Sequence, residues 1–490
     1  MADVVVVGSG PNGLAAAVVL AGAGLEVEVY EAAPVPGGGC RTAEATLPGF
    51  RHDICAGAHP MALASPFFRA FDLAAHGVEL LVPEASYAHP LDGGVAGVAW
   101  RDLNRTVREL GADGAAWGGL FEPLVRDWPA VVRTAMSDMR HLPPTPATIR
   151  FGLRLLEQGS PLWNARFSGP IAPALFTGVA THVVRPPRAL PAVGAGLLLA
   201  TLAHAGGWPV PRGGSQAIVD ALVAELHRRG GRVITDHTVD SVAEFGSARA
   251  ILCDTSPAEL VRLAGDRLPG RYRRGLRRFR YGPGSCKVDF ALSGPVPWQA
   301  PGCAEAGTLH LVGSRAEALA AEHAVAAGIH TDTPYTLVIQ PGVVDPGRAP
   351  EGRHTLYAYA HVPHGSTRDI SEQVIGQIER FAPGFRDLIL AKHTRTAAQL
   401  SAYNTNYVGG DIGAGAMTLG QTVFRPTPRW NPYATGVPGL YLCSSATPPG
   451  GGVHGMAGLH AAGHVLRTVF GRGDDPYDLV AGNRAPAAGR

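Results

Sequence analysis

Four consecutive valines, Val4–Val7, end at Gly8. A β-branched run without polar alternates is the pattern of a short strand buried on both faces of a parallel sheet. Residues 14–23 follow as an apolar stretch of helical length, and Leu25, Val27 and Val29 then alternate with Glu26 and Glu28 ahead of Glu31. The first thirty residues therefore predict a β-α-β unit. Further along, Ile218, Leu222 and Leu226 share one helical face, Gly230 and Gly231 end that helix, and residues 232–235 read as a strand. Residues 250–254 read as another buried strand, followed by a helix from about Pro257 whose N-terminal amides are placed to meet a ligand. Residues 439–443 form a last short strand, and a glycine-rich turn leads into a helix over 455–470.

Between these segments the pattern differs. Residues 67–212 are expected to be mostly helical and substrate-facing, with proline-rich connections such as Pro186-Pro187. Strand-like runs at 286–292, 336–340 and 355–361, with a helix at 315–327, suggest a second sheet. No internal repeat of 20 to 50 residues is visible.

At 490 residues the chain exceeds what one hydrophobic core supports, so more than one substructure is expected. Apolar residues make up 46% and charged residues 17%, with mean hydropathy +0.07, which excludes a disordered chain. The formal charge of +2 gives no electrostatic reason for a nucleic-acid partner. Cys40, Cys55, Cys253, Cys286, Cys303 and Cys443 are widely spaced with no C-x-x-C pair, which points to a reducing, cytoplasmic setting. No basic region precedes Val4–Val7, so no signal peptide is expected. Residues 189–211 carry no Asp, Glu, Lys or Arg. Pro191, Gly194, Gly196, Gly206 and Gly207 interrupt them, which favours a buried helix or channel wall over a membrane span and leaves peripheral membrane contact open.

Gly8-Ser9-Gly10-Pro11-Asn12-Gly13 matches G-x-G-x-x-G between strand and helix, with Glu31 eighteen residues after Gly13. Such glycines let backbone approach a pyrophosphate, the helix N-terminus stabilises its charge, and the acid accepts from ribose hydroxyls. Pro36-Gly37-Gly38-Gly39-Cys40-Arg41 adds a second glycine turn and a cation for phosphate. The segment 444–456, with Gly450, Gly451, Gly452, Val453, His454 and Met456, offers flat backbone suited to an isoalloxazine. The expected fold class is α/β. A discontinuous Rossmann-type domain takes residues 1–70, 211–285 and 410–475, and an interleaved α+β substrate-binding domain takes 71–210 and 286–409.

Together, residues 4–41, the return through Pro211-Arg212-Gly213-Gly214 and Gly230-Gly231, and the tail 439–458 resemble the FAD-dependent phytoene desaturase family, within the wider amine-oxidase-like flavoproteins. The segment from Arg425 to Tyr433 is similar to a branch that includes the pyridine nucleotide-disulfide oxidoreductase domain-containing protein 2 type. The resemblance implies FAD as cofactor, held by Gly8, Gly10, Pro11, Asn12, Gly13, Glu31, Gly38, Gly39, Arg41, Gly451, Gly452, Val453, His454 and Met456, with Val239 passing near the adenosine. A disulfide reductase would need a redox cysteine pair and a second nucleotide motif, and the sequence has neither.

The expected activity is dehydrogenation or oxidation of a small, largely apolar organic substrate, with oxygen or a quinone reoxidising the flavin. Two alternatives stay open: a flavin amine oxidase, and a flavin-binding protein with a non-redox role. His454 and His59 are the candidate catalytic residues. Tyr403, Asn404 and Trp430 read chiefly as packing residues. His361 and His364 lack nearby acids in sequence, so no metal site is expected.

Overall fold

The computed structural model describes residues 2–141 and 145–482. Its first layer is a five-stranded, all-parallel sheet in the spatial order Leu440–Leu442, Ala250–Cys253, Val4–Val7, Val27–Tyr30 and Arg232–Ile234. The valine run lies at its centre because it is flanked on both sides, with Val4 opposite Ala250 and Val27. Successive valines face opposite layers. Val4 and Val6 pack with Leu14, Ile218 and Leu459, while Val5 and Val7 pack with Val239, Leu260 and Leu442. All four are buried, and each such side chain stabilises the fold by about 1.5–3 kcal/mol relative to exposure.

The first helix, Pro11–Gly22, starts three residues earlier than its apolar pattern suggests, since Pro11 occupies the first turn, where no backbone donor is needed. It packs against the long C-terminal helix, Met456–Val469. The two approach backbone to backbone: a Cβ at Gly458 would overlap the Asn12 carbonyl oxygen.

The second layer is a seven-stranded mixed sheet in the order Ile389–Arg395, Gly284–Leu292, His354–Val362, Thr336–Ile339, Ala306–Leu311, Ala85–Leu91 and Val95–Trp100. Its last two strands correct the expectation for residues 67–212. Helices dominate that stretch, but it also contributes this hairpin, joined through Asp92-Gly93-Gly94. Every residue of Ala85–Leu91 is buried, so no polar alternation marks it, and Pro90 argues against a strand.

Residues 189–211 place no exposed side chain on the surface. The helix Leu190–Ala205 runs straight through Gly194 and Gly196, which interrupt the sequence pattern without breaking the helix. A Cβ at Gly196 would come within 2.9 Å of the Ala180 Cα, so this glycine admits the neighbouring helix Ile171–Ala180. Among the described residues no helix is long and apolar enough to cross a membrane.

Candidate functional site

The two N-terminal glycine turns meet. A Cβ on Gly38 would lie 3.2 Å from the Gly10 Cα, and one on Gly13 would strike the Gly8 carbonyl. Glu31 closes this cradle: its carboxylate accepts from the Ser9 amide at 3.1 Å, the Ser9 hydroxyl at 2.5 Å, the Ala33 amide at 3.0 Å and Arg41 Nη2 at 2.9 Å. Arg41 also donates to the Tyr403 hydroxyl at 3.2 Å, which brings Tyr403 to the edge of the cradle. Asn404 ends the same helix, Ala397–Tyr403, while Trp430 stands out in solvent, 80% exposed.

The C-terminal turn is brought against the same cradle. Asn12 Nδ2 donates to Ser445 Oγ at 3.3 Å. Gly451 lies against the Gly413 carbonyl and Gly452 against Met61, so the turn is gripped from two sides. Val453 is half-buried and Gly452 exposed. Val239 sits apart from these turns, buried beside Val5 and Val7, with its carbonyl accepting from Arg262.

The two candidate histidines have different surroundings. His454 uses both ring nitrogens inside the turn: Nδ1 accepts from the Met456 amide at 3.1 Å, so Nε2 carries the proton and donates to the Gly450 carbonyl at 3.0 Å. No ring nitrogen is left for a ligand. His59 Nε2 lies 2.7 Å from Ser215 Oγ, whose single proton goes to the Ala56 carbonyl, so Nε2 donates and Nδ1 is left unprotonated. That buried Nδ1 has no hydrogen-bond partner among the described residues. Burial pushes both rings down to about 4.

Behind His59 lies a buried ionic network that motif reasoning missed. The Asp53 carboxylate accepts from the Ser215 amide at 2.8 Å and pairs with Arg348 at 2.6 Å; Arg348 also bonds Asp345 at 3.1 Å. Burial alone would raise the Asp53 carboxyl, but Arg348, the Ser215 amide and Thr42 together hold it below its ordinary value. Lys287 and Asp289 form a second buried pair on the strand Gly284–Leu292, with the ammonium over the Tyr357 ring and His52 3.5 Å from Asp289. Burial outweighs Asp289 here and lowers the Lys287 ammonium. A Lys-x-Asp pair inside an apolar strand places both charges on one buried face, and that spacing was the available signal. His361, expected to carry no metal, hydrogen-bonds the buried Glu322 at 2.6 Å.

Beside the helix Met456–Val469 a cavity of about 290 Å³ opens between Met456, His460, Met136, Ala130, Thr148 and Arg133. Among the described residues no carboxylate lines it, and Asp138 lies near enough to act on His460.

Residues 12–466 match the model of a family described as flavin containing amine oxidoreductase. The chain belongs to that family. Members carry FAD, and the chain is accordingly an FAD-dependent oxidoreductase with a Rossmann-type cofactor fold and an α+β second layer. The chain is similar to curated relatives of two kinds. The chain is 26% identical to pyridine nucleotide-disulfide oxidoreductase domain-containing protein 2 of Mus musculus, over 95% of this chain and 94% of that one. It is 32% identical to 4,4'-diapolycopen-4-al dehydrogenase of Metabacillus indicus over 24% of this chain and 25% of that one. Its fold is similar to that of putrescine oxidase bound to putrescine, with TM-score 0.55, 16% identity and coverage of 96% and 99%. The cradle fits FAD: beside its glycine turns the buried Asn12 Oδ1 and Arg41 Nε have no hydrogen-bond partner among the described residues.

Proposed function

We propose that this flavoenzyme dehydrogenates or oxidises a small, largely apolar organic molecule. The observation that carries this reading is the cavity beside Met456, whose described lining is apolar groups, hydroxyls, His460 and the cation Arg133, a surface that suits a neutral molecule better than an ammonium. FAD, when bound, supplies the hydride-accepting N5 atom. Gly8, Gly10, Pro11, Asn12 and Gly13 would hold its pyrophosphate with Arg41, Gly38 and Gly39, while Glu31 takes the ribose and Val239 flanks the adenosine. Gly451, Gly452, Val453 and Met456 would bed the ring, with His454 locking that turn. His59 Nδ1 is the free acceptor for a ligand proton. Residues 71–210 and 286–409 serve as the substrate-binding part, and oxygen or a quinone removes the electrons.

The membrane-facing surface in this reading is the helix Pro146–Gln158. Its Ile149, Leu153 and Leu156 are each more than half exposed at i, i+4, i+7 spacing, with Arg150 and Arg154 beside them. In this reading the protein works in the cytoplasm, where widely spaced, unpaired cysteines stay reduced.

The test is an absorption spectrum of the purified protein, followed by anaerobic addition of polyenes, other apolar metabolites and amines. Bleaching of the flavin band by a neutral apolar compound supports the proposal. Bleaching by amines alone would establish an amine oxidase instead, the activity named for the structural relative bound to putrescine. A flavin that no compound reduces would favour a non-redox role.

A further inference from the structure

Asp254 ends the strand Ala250–Cys253, and its carboxyl stands in the mouth of the glycine turn. Oδ2 accepts from the Gly13 amide at 2.9 Å, and a Cβ on Gly10 would collide with the same oxygen. The Asp254 carbonyl lies 2.8 Å from where a Gly8 Cβ would be, so all three motif glycines border this one residue. Among the described residues no cation pairs with it. Facing it across the turn is Glu31, whose partner cation Arg41 is already engaged. The neighbouring thiols Cys253 and Cys443 are pushed up by burial and stay neutral, while Glu259 in the next helix is paired with Arg262 at 2.6 Å.

A pyrophosphate seated on this turn brings two negative charges beside a carboxyl that already faces one. Arg41, the cation proposed for the phosphate, pairs with Glu31 and not with Asp254, and a carboxylate facing a phosphate without a cation between the two repels it strongly in a desolvated site. We propose that Asp254 is a cofactor-binding residue that holds the FAD pyrophosphate as the neutral acid, so that FAD binding takes up one proton. The protonated carboxyl keeps its bond from Gly13 through one oxygen and offers a phosphate oxygen a hydrogen bond from the other. Burial, more than Glu31, raises the Asp254 carboxyl to about 7 even before a phosphate is present. The proposal rests on the seating of FAD in this turn.

The experiment uses the FAD-loaded protein, diluted to equilibrium between pH 6 and 9, with released FAD read by its fluorescence. Wild type is expected to lose affinity by about tenfold per pH unit above neutrality, as required for one linked proton. Asp254→Asn keeps the acceptor for Gly13 without the charge, and its affinity should be flat over the same range. In the wild type alone, an indicator dye in weak buffer at pH 8 should report close to one proton released per FAD released. A flat wild-type profile with no proton release overturns the role of Asp254 while leaving FAD in place. Failure to hold FAD at any pH overturns both this proposal and the cofactor seating beneath it.

Discussion

Gly458 stands against the carbonyl oxygen of Asn12, with no room for a methyl group between the helices Met456–Val469 and Pro11–Gly22. On the proposed seating of FAD both residues border cofactor segments, and their contact would set the distance between the pyrophosphate turn and the ring turn. Gly458→Ala should force the helices apart at a cost of about 1–3 kcal/mol. The expected result is a lower melting temperature and a smaller flavin-to-protein ratio after gel filtration; unchanged values for both would show that the helices yield freely.

Acid should destabilise the protein steeply. Burial pushes His59, His89, His204, His454 and His460 each down to about 4, against about 6.5 when unfolded. Each folded ring then binds fewer protons than its unfolded counterpart between these values. Their stabilisation is complete above pH 6.5 and is lost as pH falls towards 4, by about 1.4 kcal/mol per ring per pH unit. Melting curves at pH 7.5, 6 and 5 should show an accelerating drop, and equal melting temperatures would contradict neutral burial of these rings.

Lys287→Met leaves the buried Asp289 without its partner and should cost about 3–5 kcal/mol. Adding Asp289→Leu removes the stranded charge and should return most of that loss. Denaturation of the two variants side by side decides the matter, and a double variant no better than the single one would assign the loss to packing.

The two histidines should separate in kinetics. His454→Ala is expected to reduce FAD retention while leaving the rate per bound flavin within a few-fold, because its ring bonds serve the turn. His59→Ala is expected to keep FAD and lower the rate or raise KM about tenfold or more, the lower end of what one proton-handling side chain contributes. Flavin content and single-turnover reduction measured on both variants test the contrast; the reverse pattern would exchange their roles.

On the proposed membrane contact, vesicle binding should depend on the exposed stripe. Ile149→Glu with Leu153→Glu is expected to abolish co-sedimentation with vesicles containing anionic lipid and to leave the fold intact, since both side chains already face water. Equal sedimentation of wild type and variant would remove the membrane from this face.

The cofactor layer was legible because its signals are local. Val4–Val7 is a run of four with Gly8 directly after it, and the glycines and Glu31 follow at fixed spacing. The second sheet was legible only in part, since Ala85–Leu91 is covered on both faces and shows no alternation to read. The ionic network escaped because its members are remote in sequence: Asp53 meets Arg348 and His59 meets Ser215 only through tertiary packing. Asp254 was visible as a strand end, but its place against Gly13 depends on strand order, with Ala250–Cys253 lying next to Val4–Val7.

That strand order also governs when the protein can acquire its cofactor during synthesis. The nucleotide sheet begins with residues 4–7 and is completed at its edge by Leu440–Leu442, and the helix that presses on Asn12 runs to Val469. On the proposed seating of FAD, a nascent chain emerging from the ribosome would carry the phosphate turn for nearly the whole of translation without the backbone that beds the ring. Flavin capture would then come late in the life of the polypeptide, and a chain truncated before Gly458 is expected to retain its G-x-G-x-x-G motif yet remain colourless.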